Sequence, residues 1–403
     1  MRRPLEGIKI LDLTHGVAGP YCTMVLGDLG AEIIKIEKPE RGDATRYMNV
    51  SERFHTDIPK VGGDYFLAVN RNKRSMALEM KTPEGRAICE ELAGWADIVV
   101  QNFRPGVTKR LGLDYKSLER FNPKLIYANI SAYGSEGVHA DKAGMDIAVQ
   151  ARSGIMRITG AHDSKEPIRA GASVADFGGG IYLVAAVLAA LYDRERTGKG
   201  QEVSVSLLDA TMSLLINYSV AVMDGGADVA PLGSGHPQLV PYQSFPTRDG
   251  FVVVATGTNK TYRTFCDAIH RPDLGTNPLF ASNQSRVKNR DAMVAELSKV
   301  FVQRTTLDWL SILEEADIPC APVNDLATAY EELRTTSPDM VTSVQHAKLG
   351  KLTQLGVPFR FSGCGGDIRR APPMLGEHTD EVLSEILGRS GEEIAALHKK
   401  NVI

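Results

Sequence analysis

The side chain in this sequence best placed for covalent chemistry is the carboxylate of Asp176. It stands in Ala170-Gly-Ala-Ser-Val-Ala-Asp-Phe-Gly-Gly-Gly180, among small residues and just ahead of an apolar run. Beyond it Ile181, Leu183, Val184, Val187, Leu188 and Leu191 recur at helical spacing, which predicts a helix from near Gly179 to the charged run Asp193-Arg-Glu-Arg196. At or just before a helix N-terminus, free N–H groups and the helix dipole favour an anion, typically by about 0.3–1 kcal/mol at exposed sites. An ionised, sterically open carboxylate is a nucleophile toward activated acyl groups. Gly178 and Gly179, with Gly180, leave room for a bulky substrate and permit positive φ. Backbone amides could then approach a reacting carbonyl, so both glycines are expected to position substrate. The same residues also read as a capped helix start with glycines placed for close packing, because Asp is a preferred capping residue.

Such a carboxylate needs a scaffold, and the first half of the chain supplies a pattern for one. Ile8–Thr14, Ala31–Glu37, Met76–Met80, Asp97–Asn102 and Leu125–Tyr133 read as strands, with helices at Tyr21–Leu29 and Pro83–Trp95 between them. This alternation predicts an α/β fold with a doubly wound, mostly parallel, Rossmann-like sheet, which binds ligands outside the carboxyl ends of its strands. His15–Gly19, Lys38–Arg46, Asn102–Gly106 and Tyr133–Asp146 should line that edge. There His15 could polarise or position a substrate, and a structural histidine fits equally well. A strand at Gln201–Ser206 and a helix at Leu207–Met223 complete a first large-domain segment, residues 1–223. Residues 224–250 read as a linker and Gly-rich loop, 251–325 as a smaller α/β domain, and 326–403 as a return to the large domain. In the smaller domain the pattern predicts a strand at Phe251–Ala255 and helices near Tyr262–Ile269, Arg286–Val302 and Thr306–Ala316, ending at Pro319-Cys-Ala-Pro322. In the return it predicts a strand at Val357–Phe361 and a helix at Glu377–Leu387.

Composition narrows the functional classes. With 43% hydrophobic and 24% charged residues and a net charge of −3, the 403-residue chain reads as globular, with no basic footprint for nucleic acid. The apolar stretch Ile181–Leu191 falls short of the roughly 20 residues needed to span a bilayer, so no membrane partner is expected, and a cytoplasmic location follows by default. Five scattered cysteines without CxxC spacing support neither a disulfide framework nor a zinc site. His15-Gly-Val-Ala-Gly-Pro20 lacks dinucleotide-binding glycine spacing, and metallohydrolase and serine esterase motifs are absent. Neither a metal nor a tightly bound cofactor is expected.

In order along the chain, Pro4-Leu-Glu-Gly-Ile-Lys-Ile-Leu-Asp-Leu-Thr-His15, Ala18-Gly-Pro20, Asp28-Leu-Gly-Ala-Glu-Ile-Ile-Lys-Ile-Glu37, Gly42-Asp-Ala-Thr-Arg46, Asn72-Lys-Arg-Ser75, Lys81-Thr-Pro-Glu-Gly85, Asn102-Phe-Arg-Pro-Gly106, Asp176-Phe-Gly-Gly-Gly180, Phe361-Ser-Gly363 and Leu375-Gly-Glu-His-Thr-Asp380 resemble the class III CoA-transferases. That resemblance implies that Asp176 attacks an acyl-CoA thioester and passes through aspartyl anhydride and aspartyl-CoA thioester intermediates. It implies that CoA, as a substrate, contacts Val17, Ala18, Lys38, Leu78 to Lys81, Asn102, Phe103, Arg104, Arg110 and Lys142. It further implies an interlocked homodimer, with an acyl-CoA and a carboxylic acid as partners. Succinyl-CoA and a small dicarboxylate are the expected pair, on the polar residues Gln238, Tyr242 and Gln243. The family also holds α-methylacyl-CoA racemases, in which a His precedes the acid of the Gly-x-Asp motif; here Met145 precedes Asp146, and a thioether moves no proton at neutral pH. A non-catalytic acyl-CoA-binding protein is the remaining alternative, and it would not need the Asp176 carboxylate.

Overall fold

The computed structural model describes residues 2–52 and 59–403. Two compact units emerge: one of Met1–Ile155, Ala170–Gly225 and Leu333–Ile403, the other of Met156–Arg169 and Gly226–Glu332. Residues 226–250, read from composition as a linker, thus belong to the second unit, which also takes in Met156–Arg169.

The first unit is built on six parallel strands, β1 (Lys9–Asp12), β2 (Glu32–Glu37), β3 (Lys73–Ala77), β4 (Ile98–Gln101), β5 (Ile126–Ser131) and β6 (Gln201–Ser206), in the order β3-β2-β1-β4-β5-β6. Side chains alternate across the sheet, so it buries both faces. Ile10, Ile33, Val100 and Ile130 pack with the helices Ala18–Asp28 and Val174–Thr197 on one side. Leu11, Ile34, Val99 and Tyr127 pack with Pro83–Trp95 and the C-terminal helices Thr379–Glu385 and Gly391–Lys399 on the other. The strand order reverses between β1 and β4. That reversal opens a crevice at the carboxyl ends of these two strands, where ligands bind in doubly wound sheets.

The Asp176 helix starts earlier than expected and ends one residue past the expected charged run. It runs from Val174 to Thr197, 24 residues, and is long and apolar enough to cross a membrane by composition alone. Leu183, Val187 and Ala190 are instead buried in the core of the first unit, and Arg194 near its end donates to the carbonyls of Asp97 and Lys124. The tags Asn72–Ser75 and Leu375–Asp380 meet at the open edge of β3: the amide of His378 donates to the Ser75 carbonyl (2.9 Å), and that of Ala77 to Thr379 Oγ1 (3.0 Å). The chain's last segment therefore covers a strand edge that would otherwise present unpaired amides. A two-stranded hairpin, β10 (Val341–His346) with β11 (Gly350–Leu355), precedes it, and the strand expected at Val357–Phe361 is irregular chain.

The second unit carries the antiparallel sheet β7 (Tyr242–Pro246), β8 (Phe251–Ala255) and β9 (Cys320–Pro322) over an aromatic core in which Phe301 lies 4.9 Å from both Phe245 and Trp309.

Candidate active site

Asp176 is the third residue of its helix, not a residue ahead of it. The helix starts five residues earlier than periodicity suggests because its cap comes from elsewhere. Asp146, first residue of the helix Asp146–Ser153, accepts through Oδ1 the amides of Ala175 (2.9 Å) and Asp176 (3.4 Å). Its Oδ2 is held by Gln150 Nε2 at 2.7 Å, and Gln150 Oε1 in turn accepts the amide of Ala170. Ser173, the residue at the cap position, makes no side-chain cap bond. A cap supplied across 30 residues leaves no mark in local sequence.

The glycines serve packing. Gly178, Gly179 and Gly180 have helical backbone and do not use the positive φ that glycine permits, and their amides lie within the helix ladder. A Cβ on Gly179 would stand 2.4 Å from Leu207 Cδ2, and one on Gly180 would stand 2.8 Å from the Ala18 carbonyl oxygen. Their absence brings the Asp176 helix against the first turn of Ala18–Asp28, where the Tyr21 and Phe177 rings meet edge-on at 5.0 Å. The carboxylate is thereby carried to the start of the helix that leaves β1.

Two electrostatic effects compete at Asp176. The helix N-terminus favours the anion, whereas burial, and then the nearby charge of Asp146, disfavour it; the second pair wins and pushes the carboxyl up to about 7. A group so poised changes charge near neutrality, and perturbed ionisation of this kind clusters at functional sites.

At the crevice, the loop after β1 is tied to the loop after β4. His15 donates its amide to Asn102 Oδ1 (3.0 Å) and accepts Asn102 Nδ2 on its carbonyl (2.6 Å), and its ring lies 5.4 Å from that of Phe103. Desolvation pushes the His15 imidazole below its ordinary value against the pull of Asp43, so the ring is neutral at pH 7. Val17 is the cap residue of Ala18–Asp28 and makes no side-chain cap bond. The structure thus brings His15, Val17, Ala18, Asn102 and Phe103 together with the start of the Asp176 helix.

The expected cations follow successive strands along this edge. Lys38 follows β2, Lys81 follows β3, Arg104 and Arg110 follow β4, and Lys142 follows β5; all five are exposed. Lys38 Nζ lies 3.9 Å from Glu79, while Lys81, Arg104, Arg110 and Lys142 have no carboxylate partner among the described residues. Leu78 differs: the whole residue is 1% exposed and belongs to the core, and its amide donates to the Glu37 carbonyl at 2.8 Å, so the contact expected there does not fit this structure.

Patterning did not reveal a layer of buried charge beneath the crevice. Lys73 Nζ on β3 meets Asp12 Oδ2 on β1 at 3.0 Å and the Pro20 carbonyl at 2.9 Å. Lys35 on β2 pairs with Asp43 at 3.0 Å, and Arg46 donates to both oxygens of Glu37 at 2.7 Å. Burial alone would raise Asp12, yet Lys73, Lys35, Thr14 and Thr23 hold it well below the usual carboxylate range, while burial pushes the Lys73 ammonium down to about 8. Three acids and three bases balance, as buried charges must. A sequence signal existed at Lys35, which interrupts the apolar run of β2, but not at Lys73, which precedes the apolar part of β3.

A family model described as CoA-transferase family III matches residues 5–379. The human succinyl-CoA:glutarate CoA-transferase is 36% identical over 403 residues, spanning 100% of this chain and 90% of that protein. The acetyl-CoA:oxalate CoA-transferase of Acetobacter aceti is 38% identical, over 89% of this chain and 90% of its own. Among solved structures, a CAIB/BAIF family protein from Brucella suis superposes with a TM-score of 0.83 at 33% identity, covering 96% of this chain and 100% of that one. A carboxylate near its ionisation point, delivered to the crevice of a doubly wound sheet, and full-length likeness to these enzymes agree: the chain belongs to CoA-transferase family III.

Proposed function

We propose that this protein moves CoA from succinyl-CoA to a small dicarboxylate acceptor such as glutarate or oxalate, with Asp176 as the covalent carrier. The observation that carries the reading is the Asp176 carboxyl, poised at about 7 beside the β1 loop. In the first step an Asp176 Oδ attacks the thioester carbonyl; the carbon–sulfur bond breaks, and CoA leaves as thiolate from a mixed anhydride. The thiolate attacks the aspartyl carbonyl, releasing the donor acid and leaving an aspartyl-CoA thioester. The acceptor carboxylate then displaces the thiolate to form a second anhydride. Attack of the thiolate on the acceptor's acyl carbon yields the new acyl-CoA and restores Asp176. Each intermediate is an activated acyl group, so the exchange conserves the thioester's free energy provided water is excluded.

The uncapped first turn at Val17 and Ala18 supports the assignment of an oxyanion and thioester contact there. Lys38, Lys81, Arg104, Arg110 and Lys142 would meet CoA's phosphates, since exposed cations along one edge suit a polyanionic ligand. Neutral His15 fits a positioning role, because no step above needs a proton moved. Gly178 and Gly179 would act on the substrate indirectly, by the close packing they permit.

The racemase alternative finds no acid–base partner at Met145, which is 68% exposed and precedes the capping Asp146. For the dimer, Ile216, Val220 and Met223 form an apolar face on the helix Ile216–Met223 and are 72%, 68% and 76% exposed, a face suited to a second copy of the chain. Substrate assays with a carboxylate panel test the reading. An Asp176→Ala protein should keep CoA affinity and lose transfer by three or more orders of magnitude, roughly what removal of a covalent nucleophile costs. Undiminished transfer would reject the carrier role, and transfer only to bulky apolar acids would reject the dicarboxylate.

A further inference from the structure

From Thr14 to the Gly16 amide, the loop after β1 has its polar backbone groups committed one by one, and two of the partners are ionised side chains with almost no access to water. The Thr14 amide donates to Asp12 Oδ1 (2.9 Å), and both polar groups of His15 are held by Asn102. Lys35 Nζ donates to the Thr14 carbonyl at 2.6 Å, and Asp43 Oδ1 accepts the Gly16 amide at 3.1 Å, where the backbone takes a φ of 79°. Lys35 and Asp43 face each other at 3.0 Å with side chains 0% and 1% exposed. Asp43 Oδ1 also accepts the amide and hydroxyl of Thr45, whereas Oδ2 receives no hydrogen bond and has only the ionic contact.

A buried ion pair is a poor source of stability, because the desolvation of both charges offsets their attraction and apolar replacements are often neutral or stabilising. This pair has another use on the page. Each ion reaches past its partner to one backbone group of the same loop, one carbonyl and one amide on consecutive sides of His15. We infer that Lys35 and Asp43 are positioning residues for CoA: they hold the β1 loop so that Val17 and Ala18 present a fixed backbone to the thioester. The inference rests on the proposed reading of this loop as the CoA contact. Apolar residues could pack the same space, but would leave Thr14 and Gly16 unanswered and the loop free to move.

The test compares wild type with Lys35→Met, Asp43→Asn and, as a control, Arg71→Met, which breaks the buried Arg71–Asp28 pair (2.7 Å) at the far end of the helix Ala18–Asp28. Calorimetry with free CoA, Tm, and separate KM values for donor and acceptor are read for each. Lys35→Met should weaken CoA binding about tenfold or more, the equivalent of roughly 1.4 kcal/mol, and raise the donor KM in parallel. The acceptor KM should stay within about twofold. Asp43→Asn keeps the Oδ1 acceptor and loses the charge, so it should fall between wild type and Lys35→Met, and it decides the matter if Lys35→Met does not fold. Arg71→Met should lower Tm yet bind CoA within about twofold of wild type. Unchanged CoA affinity in the folded Lys35 and Asp43 variants, or an equal loss in Arg71→Met, overturns the inference. Failure of the wild type to bind CoA would instead overturn the reading of the site itself.

Discussion

At the scale of the residue, Asp176, the nucleophile of the proposed reaction, has its ionisation set against it. Burial first, and Asp146 second, raise its carboxyl to about 7 from an ordinary 3.8, and only the ionised form attacks a thioester. The rate of the first half-reaction should therefore climb as pH rises through about 7 and level off above it. Asp146→Asn retains an oxygen to cap Ala175 while removing the like charge, so its profile should move to lower pH by about half to one unit, the smaller of the two effects. Quenched-flow release of the donor acid between pH 5 and 9 reads both curves. Coincident profiles would mean that Asp146 acts on Asp176 through the helix cap alone. Asp176 itself was legible in the sequence because acid, small residues and apolar run are contiguous. Its helix cap, 30 residues upstream, and its raised ionisation were not, since both depend on what folds against it.

At the scale of the element, the glycines separate two uses of the same residue. Gly180→Ala would press a methyl against the Ala18 carbonyl, backbone that cannot yield, and should cost about 1–3 kcal/mol of stability along with activity. Gly178→Ala meets only Leu214 Cδ1 at 3.1 Å, and Leu214 is 48% exposed and able to turn aside. Alanine's helix propensity then favours the variant by up to about 1 kcal/mol. Chemical denaturation of the two proteins should thus give opposite signs; destabilisation by both would show that the helix approaches its neighbours closely at both glycines of its second turn. The strands followed the same logic of what patterning can see. The apolar runs at β1, β2, β4 and β5 were placed within two residues at every end, whereas β3 begins at Lys73, three residues before the strand expected at Met76. Lys73, Arg74 and Ser75 look like solvent-facing chain until Asp12, Glu381, Glu37 and His378 are folded against them. The predicted helix Leu207–Met223 divides at Leu215, and Arg286–Val302 divides at Asn289, with nothing in the local periodicity to mark either break.

At the scale of the whole molecule, the first unit leaves an apolar face uncovered at Ile216, Val220 and Met223, in helical register. Burying such a face in a second copy predicts a dimer in sedimentation, and Val220→Glu should shift it toward monomer with a loss of solubility or activity. A wild-type protein that sediments as a monomer at micromolar concentration would remove the dimer from the proposal. The central claim is covalent, and one measurement reaches it directly: incubate the protein with succinyl-CoA, quench in acid, and weigh the intact chain before mapping its peptides. The account predicts an added CoA on the peptide holding Asp176, discharged when a small dicarboxylate is supplied and absent from Asp176→Ala. No adduct, or one on another residue, together with exchange of the α-proton of a chiral 2-methylacyl-CoA, would contradict it.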